Sequence, residues 1–194
     1  MKTAEYYKRY NIIDMGLGFS AMIRNFVEGT KEKLHEKIME DIDKIFTASN
    51  KDEFNAIHKA FCKWGVGNIM LAERKKKDGK VIKKSGPASY GQTAKTLDVV
   101  MKVSIYYSYL PDCVTAKRLM PLLNAAVDNQ MMRMLKKDYK NEITIWPKTV
   151  EEVDEEKYNK LQNIVCHFIK AKHNDQIIPV QFDDIYWKQL NRES

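Results

Sequence analysis

Between residues 93 and 110 almost every side chain is apolar, aromatic or small, and Lys95, Asp98 and Lys102 are the only charges. An unbroken apolar run of this length predicts a helix buried around most of its circumference. Its start is marked by Ser89-Tyr90-Gly91-Gln92, which fits a capping box: the serine hydroxyl accepts from the Gln92 amide while the glutamine reaches back to the Ser89 N–H. Pro87 precedes the run and Pro111 follows it, as expected of residues that cannot continue a helix. A central helix is therefore expected over about 90–110.

The flanking segments alternate in ways that predict further helices packed around this one. Tyr6, Tyr10 and Ile13 share one face of a first helix over 3–14, punctuated by Gly16 and Gly18. Phe19, Met22, Ile23, Phe26 and Val27 give the spacing of a second, closed by Gly29. Thr30 can cap a third helix with a narrow stripe of Leu34, Ile38, Ile42 and Ile45. Ser49-Asn50 opens a fourth, whose apolar face runs from Phe54 to Leu71; Gly65 and Gly67 weaken its middle and predict a break or a close helix crossing near Trp64. Pro121 suits the first position of a helix reaching Leu135. The acidic residues 151–156 suit the amino terminus of a long last helix with Tyr158, Leu161, Val165, Phe168 and Ile169 inward. The tail, 177–187, is expected to dock through its aromatic residues. Asp78-Gly79 is a hairpin-turn signal between charged runs, so the β expectation is a small basic ribbon at 74–84. The fold class expected is all-α: a single-domain bundle of six or seven helices spanning residues 1–194.

Composition changes this picture little. The 194 residues suit one domain with a buried core, and 44% hydrophobic with 30% charged residues is the balance of a folded chain. Three cysteines far apart, with no C-x-x-C, argue against a disulfide framework and for a reducing compartment. No apolar h-region opens the chain and no stretch approaches eighteen consecutive apolar residues, so a cytoplasmic protein without membrane contact is expected.

Charge changes the picture more. The net charge is +7, and residues 74–87 alone carry seven basic side chains against Asp78. Such a local surplus attracts polyanions. Arg74, Lys75, Lys76, Lys77, Lys80, Lys83 and Lys84 lead directly into Ser85 and Gly86 and the helix start at Ser89, Gly91 and Gln92. Free N–H groups of a first helical turn favour phosphate, and lysines add long-range attraction, so these residues form the expected phosphate or nucleic-acid site. The plainer reading is a solvated lysine loop beside an ordinary cap. Gly86-x4-Gly91-Gln92-Thr93 approaches the P-loop spacing, but Gln92 stands where the phosphate-binding lysine belongs and only Val81-Ile82 precedes it as strand, so no P-loop is expected.

Lys95, Asp98 and Lys102 are spaced i, i+3, i+7 and share a helix face. They form either a surface ladder or a polar seam in which Asp98 holds both lysines to bind phosphate or transfer protons; in the seam, Asp98→Asn would cost function and little stability. These three are the catalytic candidates, and whether the protein is an enzyme stays open. His58 and Cys62 have metal-ligand spacing, with Cys166-His167 or Cys113 as possible completions, but no second close pair supports them; no metal and no cofactor are expected. The function expected is nucleic-acid binding through the phosphate backbone. The alternatives are an enzyme acting on a nucleotide or phosphorylated substrate at Ser89, Lys95, Asp98 and Lys102, and a helical protein-interaction module.

Overall fold

The computed structural model describes residues 2–76 and 78–186. The chain is a mostly α-helical bundle: α1 (Ala4–Phe19), α2 (Thr30–Thr47), α3 (Lys51–Asn68), α4 (Tyr90–Met101), α5 (Cys113–Leu119), α6 (Asn129–Tyr139) and α7 (Glu155–His173). Among the described residues no helix is long and apolar enough to cross a membrane. Four short strands interrupt it between α3 and α4. Met70–Leu71 (β1) pairs antiparallel with Gly86–Pro87 (β4), and Arg74–Lys75 (β2) with Val81–Lys83 (β3). The expected ribbon is thus the outer half of a longer pinched hairpin, turned at Gly79 with φ of 83°. Ile82 is 61% exposed, so the ribbon stands away from the core.

The central helix is where the hydrophobic pattern put it. Its capping box forms: the Gln92 amide donates to Ser89 Oγ at 3.2 Å, and the Ser89 amide donates to Gln92 Oε1 at 2.9 Å. Leu97, Val100 and Met101 face one apolar cluster with α1, α2 and α3, while Tyr90 and Ala94 face a second with α6 and α7. The helix does not end at Met101; it widens into a π-helical stretch, Lys102–Tyr107. Such widened turns rotate the following side chains out of α-helical phase.

Gly16, read as an interruption, is a contact point, and the close crossing expected near Trp64 forms at Gly65. A Cβ on Gly16 would lie 3.0 Å from the Val100 backbone, and one on Gly65 would lie 2.1 Å from Thr93 Cγ2. Helices α1 and α3 therefore run through their glycines because only a bare backbone lets them press on α4. Gly65→Ala is expected to destabilise the fold by about 1–3 kcal/mol through overpacking. Urea denaturation should show the cost shrinking when Thr93→Ala is added, and an unrelieved double variant would show that the crossing is not what Gly65 serves.

Four local expectations fail. Thr30 does not cap α2; it is the first helical residue, and Gly29 holds the cap position with no side-chain hydrogen bond. The second helix over 19–27 does not form; α1 extends to Phe19, a single 3-10 turn follows at Ile23–Asn25, and Phe26 bridges Leu71 in extended conformation. Its apolar residues serve a turn that covers β1. Nor does Pro121 open a helix to Leu135. It lies in a 3-10 turn, Met120–Leu122, after which residues 123–128 form no regular element and are mostly buried, until Asp128 caps α6 by accepting from the Gln130 and Met131 amides at 2.9 Å. Gln162 holds that segment from α7, accepting from Ala125 N at 3.0 Å and donating to Ala125 O at 2.9 Å. A buried carboxamide that satisfies both backbone groups lets irregular chain lie inside a helical bundle. The fourth helix also stops at Asn68, and its last apolar residues become β1. The tail docks as expected through Val180 and Phe182; Trp187 lies outside the described residues.

Candidate functional site: a basic cleft beside the central helix

The pinched hairpin brings Arg74 directly opposite Lys83, and both side chains line one wall of a cleft of about 440 Å³. The floor is α4, through Gln92 and Lys95. The facing wall is the first turn of α6, with Asp128, Asn129 and Arg133, and the Thr149–Glu151 turn closes one side. Four cations thus face two carboxylates. Glu151 is taken by Lys83. Asp128 caps α6 and lies 3.7 Å from Lys95 Nζ, longer than a direct hydrogen bond. Among the described residues neither Arg74 nor Arg133 has an ion-pair partner. The Lys95 side chain is 15% exposed, and burial lowers its pKa against the partial support of Asp128, Asp183 and Asp98.

The rest of the expected phosphate site disperses. Lys75 pairs with Glu73 at 2.8 Å, and Lys76, Lys80 and Lys84 are exposed along the ribbon; Lys77 lies outside the described residues. Ser85 Oγ donates to Leu71 O at 2.8 Å. The amino terminus of α4 closes on the chain itself: Gly91 N donates to Val153 O at 2.9 Å and Ser89 Oγ to Val150 O at 3.2 Å. A Cβ on Gly91 would meet Val150 O at 2.5 Å, so this glycine admits a neighbouring turn of the chain. Of the cap residues, Gln92 alone reaches the cleft.

The seam of Lys95, Asp98 and Lys102 is not formed. Asp98 accepts from His58 Nε2 at 2.9 Å and from the Tyr158 hydroxyl at 2.8 Å, fully inside the protein. Burial alone would lower the His58 pKa, but Cys62, 3.6 Å from Nδ1, and the Asp98 carboxylate outweigh it and raise it to about 10. His58 and Asp98 are therefore a buried ion pair crossed by a tyrosine. Lys102 sits on the π turn and binds Asp183 at 2.5 Å and Asp184 at 2.6 Å. Seven residues of helix span about 10 Å, and along that length the neighbours change from α6 to α3 and α7 and then to the tail. One helix face meets three partner sets because α4 has neighbours all round.

Sequence reasoning missed His58 and Tyr158 as partners of Asp98, and Arg133 and Asn129 as cleft residues. His58 and Cys62 were singled out by spacing; the structure turns that pair into part of the buried network. Among the described residues no group of three or more His, Cys, Asp or Glu is arranged to hold a metal ion. A second cleft, about 420 Å³, lies between α3 and α7, where Lys51 Nζ donates to Leu122 O at 2.6 Å and Asn124 Oδ1 at 2.7 Å, and burial lowers the lysine's pKa.

No protein-family model matches the chain, and neither a curated protein nor a solved structure is similar to it. What the cleft does is read from its own residues.

Proposed function

We propose that the protein binds nucleic acid through its phosphates, with the cleft as anchor and the lysine ribbon as the approach to it. The observation that carries this is the pair of guanidiniums, Arg74 and Arg133, without acidic partners among the described residues, on opposite walls of one cleft above a mostly buried lysine. Guanidinium forks match phosphate oxygens, and a desolvated ammonium gains most from an anion that displaces the remaining water. Lys76, Lys80 and Lys84, exposed on a ribbon rooted at Arg74 and Lys83, supply longer-range attraction of the kind that steers polyanions.

The geometry favours binding over turnover. Both carboxylate oxygens of Asp98 are occupied from within the chain, and Ser89, Lys95, Asp98 and Lys102 do not converge on one space.

The test is binding against salt. Each phosphate neutralised on duplex DNA contributes about 0.9 to the slope of log K against log[salt], and about 0.7 on single strands. The triple variant Arg74→Gln, Lys83→Gln, Arg133→Gln should lower that slope by about two units and weaken binding to every sequence alike. The ribbon variant Lys76→Gln, Lys80→Gln, Lys84→Gln should lower it less. Fluorescence anisotropy with labelled duplex and single strands at ~50 mM salt reads both. Absence of wild-type binding, or a triple variant that binds as before, overturns the reading.

A further inference from the structure

We infer that the cleft takes the terminal phosphomonoester of a nucleic-acid strand in preference to the diesters along it; the inference rests on the phosphate-binding reading above. It starts from the carboxamides. Gln92 Oε1 accepts from the Ser89 amide at 2.9 Å, and Asn129 Oδ1 accepts from the Val150 amide at 3.0 Å. A backbone N–H can only donate, so each oxygen is fixed on the chain and each NH2 group is the end left over. Among the described residues neither NH2 has a partner, and both side chains line the cleft.

Five donor side chains thus face the cleft: the Gln92 and Asn129 amides, the Arg74 and Arg133 guanidiniums, and the Lys95 ammonium; Asn25, Gln130 and Thr149, which can also accept, share its lining. Of the two acids, Glu151 pairs with Lys83, and Asp128 caps α6 with one oxygen while the other lies 3.7 Å from Lys95 Nζ. A site this rich in donors, with a surplus of two positive charges, fits a group that only accepts and carries nearly two negative charges. A phosphomonoester at neutral pH carries about −1.5 to −2 and offers three terminal oxygens. An internal diester carries one charge and offers two.

Depth points the same way. Lys95 is on the floor, 15% exposed. A diester has a sugar on each of two oxygens and must lie across the cleft with chain leaving on both sides. A terminal phosphate has one sugar and can enter end-on, bringing oxygens to the ammonium while the strand leaves over the ribbon. The volume of about 440 Å³ lies within the range of small-molecule sites and suits a single terminal nucleotide better than a length of duplex.

The experiment compares ~12-nucleotide single strands of RNA and DNA carrying a 5′-phosphate, a 3′-phosphate or hydroxyls at both ends, by anisotropy at ~100 mM salt, with inorganic phosphate and a mononucleotide as competitors. Expected is at least tenfold tighter binding of one phosphorylated end. That preference should shrink as pH falls through about 6, where the monoester takes up its second proton. It should vanish in Arg133→Gln, an exposed position whose replacement leaves packing alone, and in Gln92→Glu, which keeps the acceptor for the Ser89 amide but turns the donor end into a carboxylate oxygen. Circular dichroism melts verify that both variants fold. Equal binding of all three strands overturns the inference and leaves the phosphate-grip reading standing. A rise in melting temperature with millimolar inorganic phosphate or mononucleotide, without any strand binding, overturns both and assigns the cleft to a small phosphorylated ligand. No binding of any probe overturns both outright.

Discussion

Asp98→Asn is expected to lower the stability of the fold by about 3–5 kcal/mol, the range for removing one partner of a buried pair. Asp98 is 2% exposed, and its two oxygens each receive a donor, His58 Nε2 and the Tyr158 hydroxyl. Asparagine keeps one acceptor, turns an NH2 toward the other donor, and leaves the imidazolium uncompensated. The seam reading of the sequence predicts little change in stability for this substitution, and the buried partners reverse that expectation. Urea denaturation across pH separates the network from a simple packing effect. The folded-state pKa of His58, about 10, lies above its ordinary value of 6.5. A raised pKa contributes stability that is fully present below about 6.5 and is lost as pH rises toward 10. Wild type should therefore weaken over that window, and Asp98→Asn should weaken much less. A loss below about 1 kcal/mol, or the same pH dependence in both proteins, would remove the ion pair from the account of the core.

Lys95→Met is expected to act in the opposite direction on stability and strongly on binding. Burial lowers the Lys95 pKa below 10.5, so the charged form is the one that the fold disfavours. A lowered lysine pKa is a cost fully present at neutral pH and absent once pH exceeds the unfolded value. The variant should accordingly melt at or above the wild-type temperature at pH 7, with the gain fading above pH 10. Oligonucleotide affinity should fall about thirtyfold, about 2 kcal/mol, because a desolvated charge that meets a phosphate is worth more than a rim contact. Melts and titrations of one preparation decide it. A variant that is less stable yet binds normally would make Lys95 a structural partner of Asp128 and nothing more.

How far the sequence reached can be followed residue by residue. Ser89 and Gln92 could be paired on paper because a capping box closes within four residues. The stripe of Leu34, Ile38, Ile42 and Ile45 found the core for the same reason: helical periodicity is a local property. Asp78-Gly79 marked the ribbon turn because a positive φ is a demand on one residue. The surplus of charge over 74–87 was also plain, and Arg74 and Lys83 reach the cleft while Lys75 is tied to Glu73.

Where the pattern was local but the outcome was not, the reading failed. Residues 123–128 look helical, yet Gln162 satisfies both backbone groups of Ala125 and holds the segment out of helix, and it lies 37 residues away from Ala125. Gly65 left a break and a close crossing open, and only Thr93 pressed against it decides for the crossing. Asp98, a charge on an apolar helix, invited partners three and four residues away on its own helix; its partners are 40 and 60 residues distant. By itself, then, the sequence determined the central helix and its cap, the inward faces of α2 and α7, the ribbon turn and the place of the positive charge, because periodicity, capping and turn chemistry act within a few residues. Only the tertiary structure decided which charges are spent on the chain and which are left facing a cleft. That depends on neighbours brought together from distant segments, and burial makes each unpaired donor or acceptor costly enough to choose among them.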